Sequence, residues 1–583
     1  VYFVSPKITF LCRSMAPMIV QRIINEELRQ ALLAEGHCDL LARILASRHL
    51  GSSQEARLDF NQLPHFSLLK NIDLAVDLVA EALIQQKKIV IAGDYDADGA
   101  TATALAVLVL REFGGQVSFI APSREKDGYG LSETLVDKAM ALDAQLIITV
   151  DNGIAAVESV DYAQQLGIQV LVTDHHLPGK YLPNCPIVNP NQFGCSFPSK
   201  NLAGVGVMFY VLVALRHHLE KKHYFDDRSC RPNLAHYLDI VALGTVADVV
   251  ILDQVNRIFV NHGLKIIHAQ QGNKGILALL KVSGKNPQEV MTRDLGCIIG
   301  PRINAAGRLE DIRIGIKCLL ANQDEEAYAY AVELNALNHD RRNREKTMVE
   351  SSLLQLSGHH WYKKSTITLF SEDFHQGIIG LVASRLKEKY HLPTIVFAAG
   401  DGDELKGSGR SVEGLHLRDI LDQINKCAPG IIIRFGGHAA AAGLSLKRDS
   451  LTKFQHLFEM VVDESLPEGK LEKKVYTDGA LLIGEMTLEN ARMLNNMVWG
   501  QGFEAPLFWD SFFLVRQKQM GADKRHKKAW LMKNGQIFEA MFFNCEEELP
   551  EHIALAYQLM VNRWKTQLLL QLYVEYWQAV LDG

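Results

Sequence analysis

The sequence predicts a multi-domain α/β protein: a mostly parallel sheet covered by helices, a long connecting helix, a second α/β segment and a β-rich C-terminal region. Three observations carry this. Between Ile72 and Pro190, short apolar runs alternate with helix-length segments, the pattern of βαβ units. From Asp324 the stretch DEEAYAYAVELNALNHDRRNREKTMVESSLLQL runs on without Gly or Pro. Beyond residue 467, helical periodicity yields to short apolar runs such as SFFLVRQ, KAWLMKN, FEAMFFN and LLLQLYVEYW.

A length of 583 residues, 48% hydrophobic and 22% charged, allows about three or four domains. The expected segments are residues 1–70, 71–323, 324–357, 358–466 and 467–583. The longest apolar run, Leu202 to Leu215, is shorter than the ~18 residues that span a membrane, so it reads as a buried helix and no membrane partner is expected. The first twenty residues lack a basic leader followed by an apolar block, which points to a cytoplasmic protein. Nine cysteines without a CxxC pair argue against a zinc ribbon or a disulfide framework. A net charge of −6 gives no global footprint for nucleic acid, although a local basic surface would be hidden in that total.

In order along the chain, Ile72, Ala75, Val76, Val79 and Leu83 share a helical face, followed by the strand Ile89–Ala92. A helix over about residues 100–113 leads to strands at Val117–Ile120, Leu146–Val150 and Gln169–Thr173. The charged stretch from Asp324 suits a helix bridging two domains, and equally a solvated surface helix. The second α/β segment spans about Ser365 to Leu446.

Apolar segments repeatedly end at an acid: IVIAGD at Asp94, LIITVD at Asp151, VLVTD at Asp174 and VALGTVAD at Asp248. A parallel sheet delivers its C-terminal strand ends to one rim, where ligands bind, so acids remote in sequence can share one pocket. His175 and His176 follow Asp174 directly and add imidazole to that rim. Several carboxylates in one cleft repel each other, so protons or cations must neutralise them. Oxygen donors with a histidine suit Mn²⁺ or Mg²⁺, and two such ions serve phosphoester hydrolysis. The DYDADG stretch also opens like a calcium loop, but the twelfth position from Asp94 is Leu105, not Glu. Taken alone, each acid is also explained as a cap or turn residue. No GxxxxGK[ST] phosphate loop is present.

GDYDADG, VDNGI, TDHHLPG with VNP, and GTVADVV resemble the successive motifs of the DHH phosphoesterase superfamily. GPRINAAGRL, GSGRS and FGGHAAAAG resemble its DHH-associated domain, and the C-terminal region is similar to the OB-fold of the superfamily's single-strand exonuclease branch. The resemblance implies hydrolysis of single-stranded DNA from 5′ to 3′ with release of mononucleotides, in recombination and repair. It implies two divalent ions, Mn²⁺ or Mg²⁺, held by Asp94, Asp96, Asp98, Asp151, His175 and Asp248, with Asp151 as the bridge. His176 would face the scissile phosphate as a catalytic residue, and Asp174 would orient a histidine. Arg302, Asn304, Arg308, Ser408, Arg410, Gly436, Gly437 and His438 would hold the terminal phosphate and nearby nucleotides. A structural role suits Asn304 equally, and the competing reading of GGHAAAAG is a tight helix entry. Arg124 would meet a backbone phosphate or be a surface arginine.

The basic stretch from Arg516 to Lys533, with Lys527 and Trp530, suits a single-strand groove or a solvated hairpin. A monomer working with single-strand-binding protein and a RecQ-type helicase is the implied setting. The competing functions are a DHH phosphodiesterase for short oligonucleotides or cyclic dinucleotides, and a catalytically silent DNA-binding scaffold.

Overall fold

The computed structural model describes residues 17–123, 130–226, 232–357, 364–466, 473–521, 524–564 and 567–580. They fall into two compact units, one containing residues 339–476 and the other residues 21–338 together with 477–583. The C-terminal region therefore belongs to the same compact unit as the first sheet.

In the larger unit, strands β1 (Lys88–Ala92), β2 (Gln116–Ile120), β3 (Leu146–Val150), β4 (Gln169–Thr173) and β5 (Ile187–Val188) form a sheet in the order β2-β1-β3-β4-β5. Every pairing is parallel. Side chains alternate between two cores: Ile89, Ile91, Leu146, Ile148 and Leu171 enter one, and Val90, Ile147, Val170 and Val172 the other. Both faces are covered by helices, which is why these strands read as unbroken apolar runs. The chain passes from β1 outward to β2 and then back across to β3. That reversal leaves a crevice at the C-terminal ends of β1 and β3, the place where open α/β sheets bind ligands.

In the smaller unit, β6 (Ile367–Ser371), β7 (Thr394–Ala399), β8 (Glu404–Arg410), β9 (Ile432–Gly437) and β10 (Ala441–Lys447) are ordered β9-β10-β8-β7-β6. Only the β6–β7 pair is parallel. FGGHAAAAG is the hairpin between β9 and β10 rather than a helix entry. The small side chains there let the two strands turn tightly, and Gly437 sits at φ +140° with a neighbour, Ala441 O, only 2.4 Å from where a Cβ would lie. The long helix spans Asp324–Ser357. Within the smaller unit its buried Glu345 joins Arg341 (2.7 Å) and Arg385 (2.9 Å), and the latter lies on the helix Ile379–Tyr390.

Returning to the larger unit, β11 (Phe508–Met520), β12 (His526–Lys533), β13 (Gln536–Phe542), β14 (His552–Trp564) and β15 (Gln567–Ala579) close into a barrel in the order β11-β12-β13-β15-β14. The β13–β15 pair is parallel and closes the cylinder. Leu40 and Ile44 from the N-terminal segment enter the barrel's core. That segment is pinned by Arg48, which grips Asp478 through both carboxylate oxygens (2.6 and 2.9 Å) and donates to Glu504 O at 2.9 Å. Both side chains are buried. Asp478→Ala would leave a buried guanidinium without its counter-charge, at a cost of about 3 kcal/mol. We expect a lower midpoint for the larger unit in chemical denaturation, and an unchanged midpoint would show that the pair is dispensable.

Candidate active site

The site is assembled at the rim where β1 and β3 end. After β1 the chain turns through Gly93 to Asp98 into the helix Ala97–Glu112, whose N-cap is Asp96, accepting from Gly99 N–H at 3.0 Å. Asp94 and Asp98 are buried. A Cβ on Gly99 would stand 2.7 Å from Asp94 N, so only glycine lets this turn close. After β3, Asp151 takes the left-handed conformation (φ +63°).

The apolar run from Leu202 has a role beyond packing. It forms the helix Gly204–Lys221, and the first amides of that helix, Gly204 N–H and Val205 N–H, donate to Asp98 at 2.6 and 2.9 Å. A helix N-terminus is the natural seat for a buried carboxylate. Asp98 thereby spends hydrogen-bonding capacity of both oxygens on the scaffold. A Cβ on Gly204 would come within 2.5 Å of Asp151 Cβ, so this glycine permits the approach. Sequence reasoning passed over Gly204; its only signal was a glycine opening an apolar helix.

Asp174, following β4, is buried and saturated. Its Oδ1 accepts from His175 N–H (2.7 Å) and His176 N–H (3.1 Å) and meets His176 Nδ1 (2.7 Å), while Oδ2 accepts from Ile154 N–H (2.9 Å). Asp174 thus contacts both histidines, through their amides and through the His176 ring. His175 Nε2 lies 3.1 Å from Asp151 Oδ1 and 3.5 Å from Asp248 Oδ2.

Asp248 does not follow a strand. VALGTVAD is helical, in Leu238–Ala247, and Asp248 caps its C-terminus; Val249 beyond it stands at φ +62°, a strained conformation for a β-branched residue. The negative end of a helix repels a carboxylate, so Asp248 is held where a cation is wanted.

Among the described residues, donor atoms converge in three groups, each with all its atoms within 4.8 Å of one another: Asp94, Asp96 and Asp151; Asp98, His175 and Asp248; and Asp151, His175 and His176. Asp151 joins the first group to the third. Among the described residues nothing donates a hydrogen bond to its buried Oδ1, an arrangement that costs free energy unless a cation or proton fills it. The electrostatics agree. Burial, then the charges of Asp98, Asp96, Asp248 and Asp94, raise the Asp151 carboxyl well above its ordinary range. Burial and the charges of Asp98, Asp96 and Asp94 do the same to Asp248. Burial, then the Asp96 charge, pushes Asp98 up to about 7. For His176, burial opposes protonation, but the bond and charge of Asp174, with the Asp94 and Asp96 charges, outweigh it and raise its pKa. For Asp174, burial is outweighed by His176 and the backbone amides, which hold it low. The donor set, rich in oxygen with imidazole beside it, fits a pair of hard divalent cations.

The remaining expected contacts fall in several places. Arg302, Asn304 and Arg308 lie on the helix Gly300–Leu309 in the larger unit, beside Asp96, and not in the second α/β unit. The first sheet needs this helix to finish its rim: Asn304 Oδ1 accepts from Ala97 N–H at 2.8 Å, and a Cβ on Gly307 would stand 1.9 Å from Tyr95 O. Arg302 is buried and donates to Asn335 Oδ1 (3.1 Å) and Ile298 O (2.6 Å), so its guanidinium braces the scaffold.

In the smaller unit, Arg410 Nη1 donates to Ser408 Oγ (3.2 Å) and Gly409 O (2.8 Å). Both side chains crowd Gly380 near the start of the helix Ile379–Tyr390, where a Cβ would meet Ser408 Oγ at 2.8 Å and Arg410 Nη2 at 2.9 Å. A guanidinium, a hydroxyl and a helix N-terminus together make an anion seat. Gly436 and Gly437 end β9, and His438 is exposed at the tip of the hairpin. Arg124 lies outside the described residues.

On the barrel, Lys527 points inward: it is buried and its Nζ donates to Glu547 O, because strand alternation turns it to the opposite face from Lys528 and Trp530. It is not a surface contact for DNA. Trp530 faces outward, with the Arg516 guanidinium 3.8 Å from its ring centroid and Lys528 Nζ at 5.1 Å.

Fold and rim together define a DHH-type metal-dependent phosphoesterase, and comparison with known proteins agrees: residues 88–245 match the DHH family N-terminal domain, 363–464 the DHHA1 domain and 477–576 the RecJ OB domain. The single-stranded-DNA-specific exonuclease RecJ of Dickeya dadantii is 45% identical over 553 residues, covering 92% of this chain and 95% of that protein. That of Escherichia coli is 44% identical over 551 residues, with coverage of 92% and 95%. The crystal structure of Thermus thermophilus RecJ in complex with Mn²⁺ superposes with a TM-score of 0.82 at 26% identity, over 98% of this chain and 80% of that one. The chain belongs to the RecJ family of single-stranded-DNA-specific exonucleases.

The raised carboxyls set a pH dependence. Asp98 ionises near pH 7 when folded and near 4 when unfolded, so the folded chain holds a proton that the unfolded chain releases. Its contribution is present below about pH 4 and lost as pH rises toward 7, by about 1.4 kcal/mol per pH unit per proton. Asp151, Asp248 and His176 act with the same sign; Asp174, held low, acts oppositely and only at acid pH. In a chelator the thermal midpoint should therefore be higher at pH 5.5 than at pH 7.5, and Mn²⁺ should raise it more at pH 7.5. A chelated protein that gains stability from pH 5.5 to 7.5 would contradict the assignment.

Proposed function

We propose that this chain is a single-stranded-DNA-specific exonuclease that hydrolyses phosphodiester bonds from the 5′ end and releases mononucleotides. The carrying observation is the convergence of Asp94, Asp96 and Asp151 with Asp98, His175 and Asp248, linked through Asp151 and His175. In this reading Asp94, Asp96, Asp98, Asp151, His175 and Asp248 would hold two divalent cations, Mn²⁺ or Mg²⁺, Asp151 being the acid common to two of the donor groups. Bound there, the cations would polarise the phosphoryl group, lower the pKa of water and balance the charge of the leaving oxygen. His176, whose pKa Asp174 raises, would face the scissile phosphate from Nε2 as a charge stabiliser or as the proton donor to the leaving oxygen. Ser408 and Arg410, with the helix start at Gly380, seat the terminal phosphate of the strand, and His438 lies in the same unit to contact it.

The closed barrel favours a polymeric substrate over a cyclic dinucleotide. Trp530, backed by Arg516, offers a face for a base, and Lys528 lies beside it for the backbone. A full set of chemically competent acids at the rim speaks against a silent scaffold. The enzyme acts as a monomer in the cytoplasm, in recombination and repair, on strands opened by a RecQ-type helicase and coated by single-strand-binding protein. Among the described residues no helix is long and apolar enough to cross a membrane.

Digestion of one 5′-labelled and one 3′-labelled strand with Mn²⁺ should release labelled mononucleotide at once from the 5′ label only, and a duplex control should resist. Asp151→Ala should lower turnover by at least about a thousandfold with the fold retained; wild-type turnover in that variant would refute the site. Trp530→Ala should weaken binding of a long strand by about tenfold, the value of one stacked base, while dinucleotide cleavage persists. Equal affinity in the variant would remove the barrel from the substrate path.

A further inference from the structure

The His175–His176 dipeptide lies on a loop, yet each of its main-chain polar groups has a side-chain partner. Asp174 Oδ1 takes both N–H groups, as described. The two carbonyls are taken from the other side, by asparagines that follow β5: Asn189 Nδ2 donates to His176 O at 2.9 Å, and Asn191 Nδ2 donates to His175 O at 2.6 Å. The amide orientations are set by their other bonds. Asn189 Oδ1 accepts from Asn191 N–H at 2.7 Å, which turns Nδ2 toward His176. Asn191 Nδ2 faces a second carbonyl, Lys200 O at 3.2 Å, so that end must be the donor.

The asparagine turn is itself fastened. Asn189 is fully buried. Lys200 Nζ donates to Pro190 O (2.7 Å) and Cys195 O (3.0 Å), and Gln192 Nε2 donates to Ile187 O (2.8 Å). A two-residue strand such as β5 adds little as a sheet element. Its position beside Val172 and Thr173 of β4 instead places this turn against the residues that leave β4.

We infer that Asn191 and Asn189 are positioning residues of the reaction: Asn191 acts through His175 on the cation-holding imidazole, and Asn189 acts through His176 on the imidazole that addresses the phosphate. The physical ground is that a loop backbone with unpaired carbonyls would turn toward water. A small rotation of the His175 carbonyl would swing Nε2 away from Asp151 and Asp248, from which it now stands 3.1 and 3.5 Å. Groups that orient a ligand in this way typically govern metal affinity by 10–100-fold, and misplacement by about 1 Å costs turnover.

The two asparagines are distinguishable, because the assignment rests on the metal-dependent reading above and predicts a different defect for each. Mn²⁺ binding is measured by titration of the full chain without DNA, alongside kcat and KM on a single strand and the thermal midpoint in chelator. Asn191→Ala should bind Mn²⁺ about tenfold more weakly, with kcat recovering as Mn²⁺ is raised and KM for the strand unchanged. Asn189→Ser, which keeps an oxygen acceptor for Asn191 N–H, should bind Mn²⁺ as the wild type does and lose kcat by about tenfold or more, with no recovery on added Mn²⁺. If that variant does not fold, Asn189→Thr supplies the same acceptor and carries the same expectation. Wild-type Mn²⁺ affinity in Asn191→Ala, or the same pattern of defects in both variants, would overturn the assignment. A wild-type chain that binds no Mn²⁺ would instead sink the metal-dependent reading on which it stands.

Discussion

Five carboxylates, those of Asp94, Asp96, Asp98, Asp151 and Asp248, are held together at one rim, and their mutual repulsion is the constraint around which the larger unit is built. Crowded acids would spread or protonate if they could. Here they cannot spread. Parallel pairing delivers β1 and β3 side by side, the helix Gly204–Lys221 presses its first amides onto Asp98, and the C-terminus of Leu238–Ala247 holds Asp248 against its own dipole. The strain is electrostatic and is relieved by cations, so affinity for metal is a consequence of the fold and not an addition to it.

Close approach is achieved with the smallest residues. Gly99, Gly204 and Gly307 each stand where a Cβ would collide with a neighbouring backbone or carboxylate. Asp151 contributes through its left-handed backbone. The histidines are handled differently: they sit beyond regular structure, and rigidity comes from side chains gripping the backbone, with Asp174 on one side and Asn189 and Asn191 on the other. The same fold thus uses repeating hydrogen bonds to place its acids and individual side-chain bonds to place its imidazoles.

The barrel shows how alternation overrides composition. The stretch from Arg516 to Lys533 carries seven Lys and Arg against a single Asp in sequence, yet Lys527 closes a buried contact with Glu547 O while Lys528 and Trp530, its neighbours on the outer face, meet solvent. Charge content predicts a surface; the strand period decides which charges reach it. The barrel also packs with the first sheet as one unit, and its Arg563 pairs with Glu289 of the α/β region. The boundary near residue 467 falls between the core of the smaller unit and that of the barrel, while Val498 and Phe503 from beyond it join the core of the first sheet.

Local patterns sufficed for whatever depends on nearby residues. Period and turn chemistry located β1, β3 and β4 and the acids at their ends, because a buried parallel strand must be apolar throughout and its rim residue need not be. The clustering of GDYDADG, VDNGI and TDHH on one rim was legible for the same reason. Tertiary structure decided what depends on residues far apart in the chain. VALGTVAD is a helix and not a strand, since apolar runs of that length suit either until packing chooses. Asn304 serves Ala97 and Arg302 serves Asn335, pairings that no spacing reveals. Asp98 became a helix-seated acid only when residue 204, more than a hundred positions away, was brought to it. The sequence alone determined which chemistry the rim would carry; the distances that divide those side chains between cation, phosphate and scaffold arise only in the fold, because they are set by long-range packing.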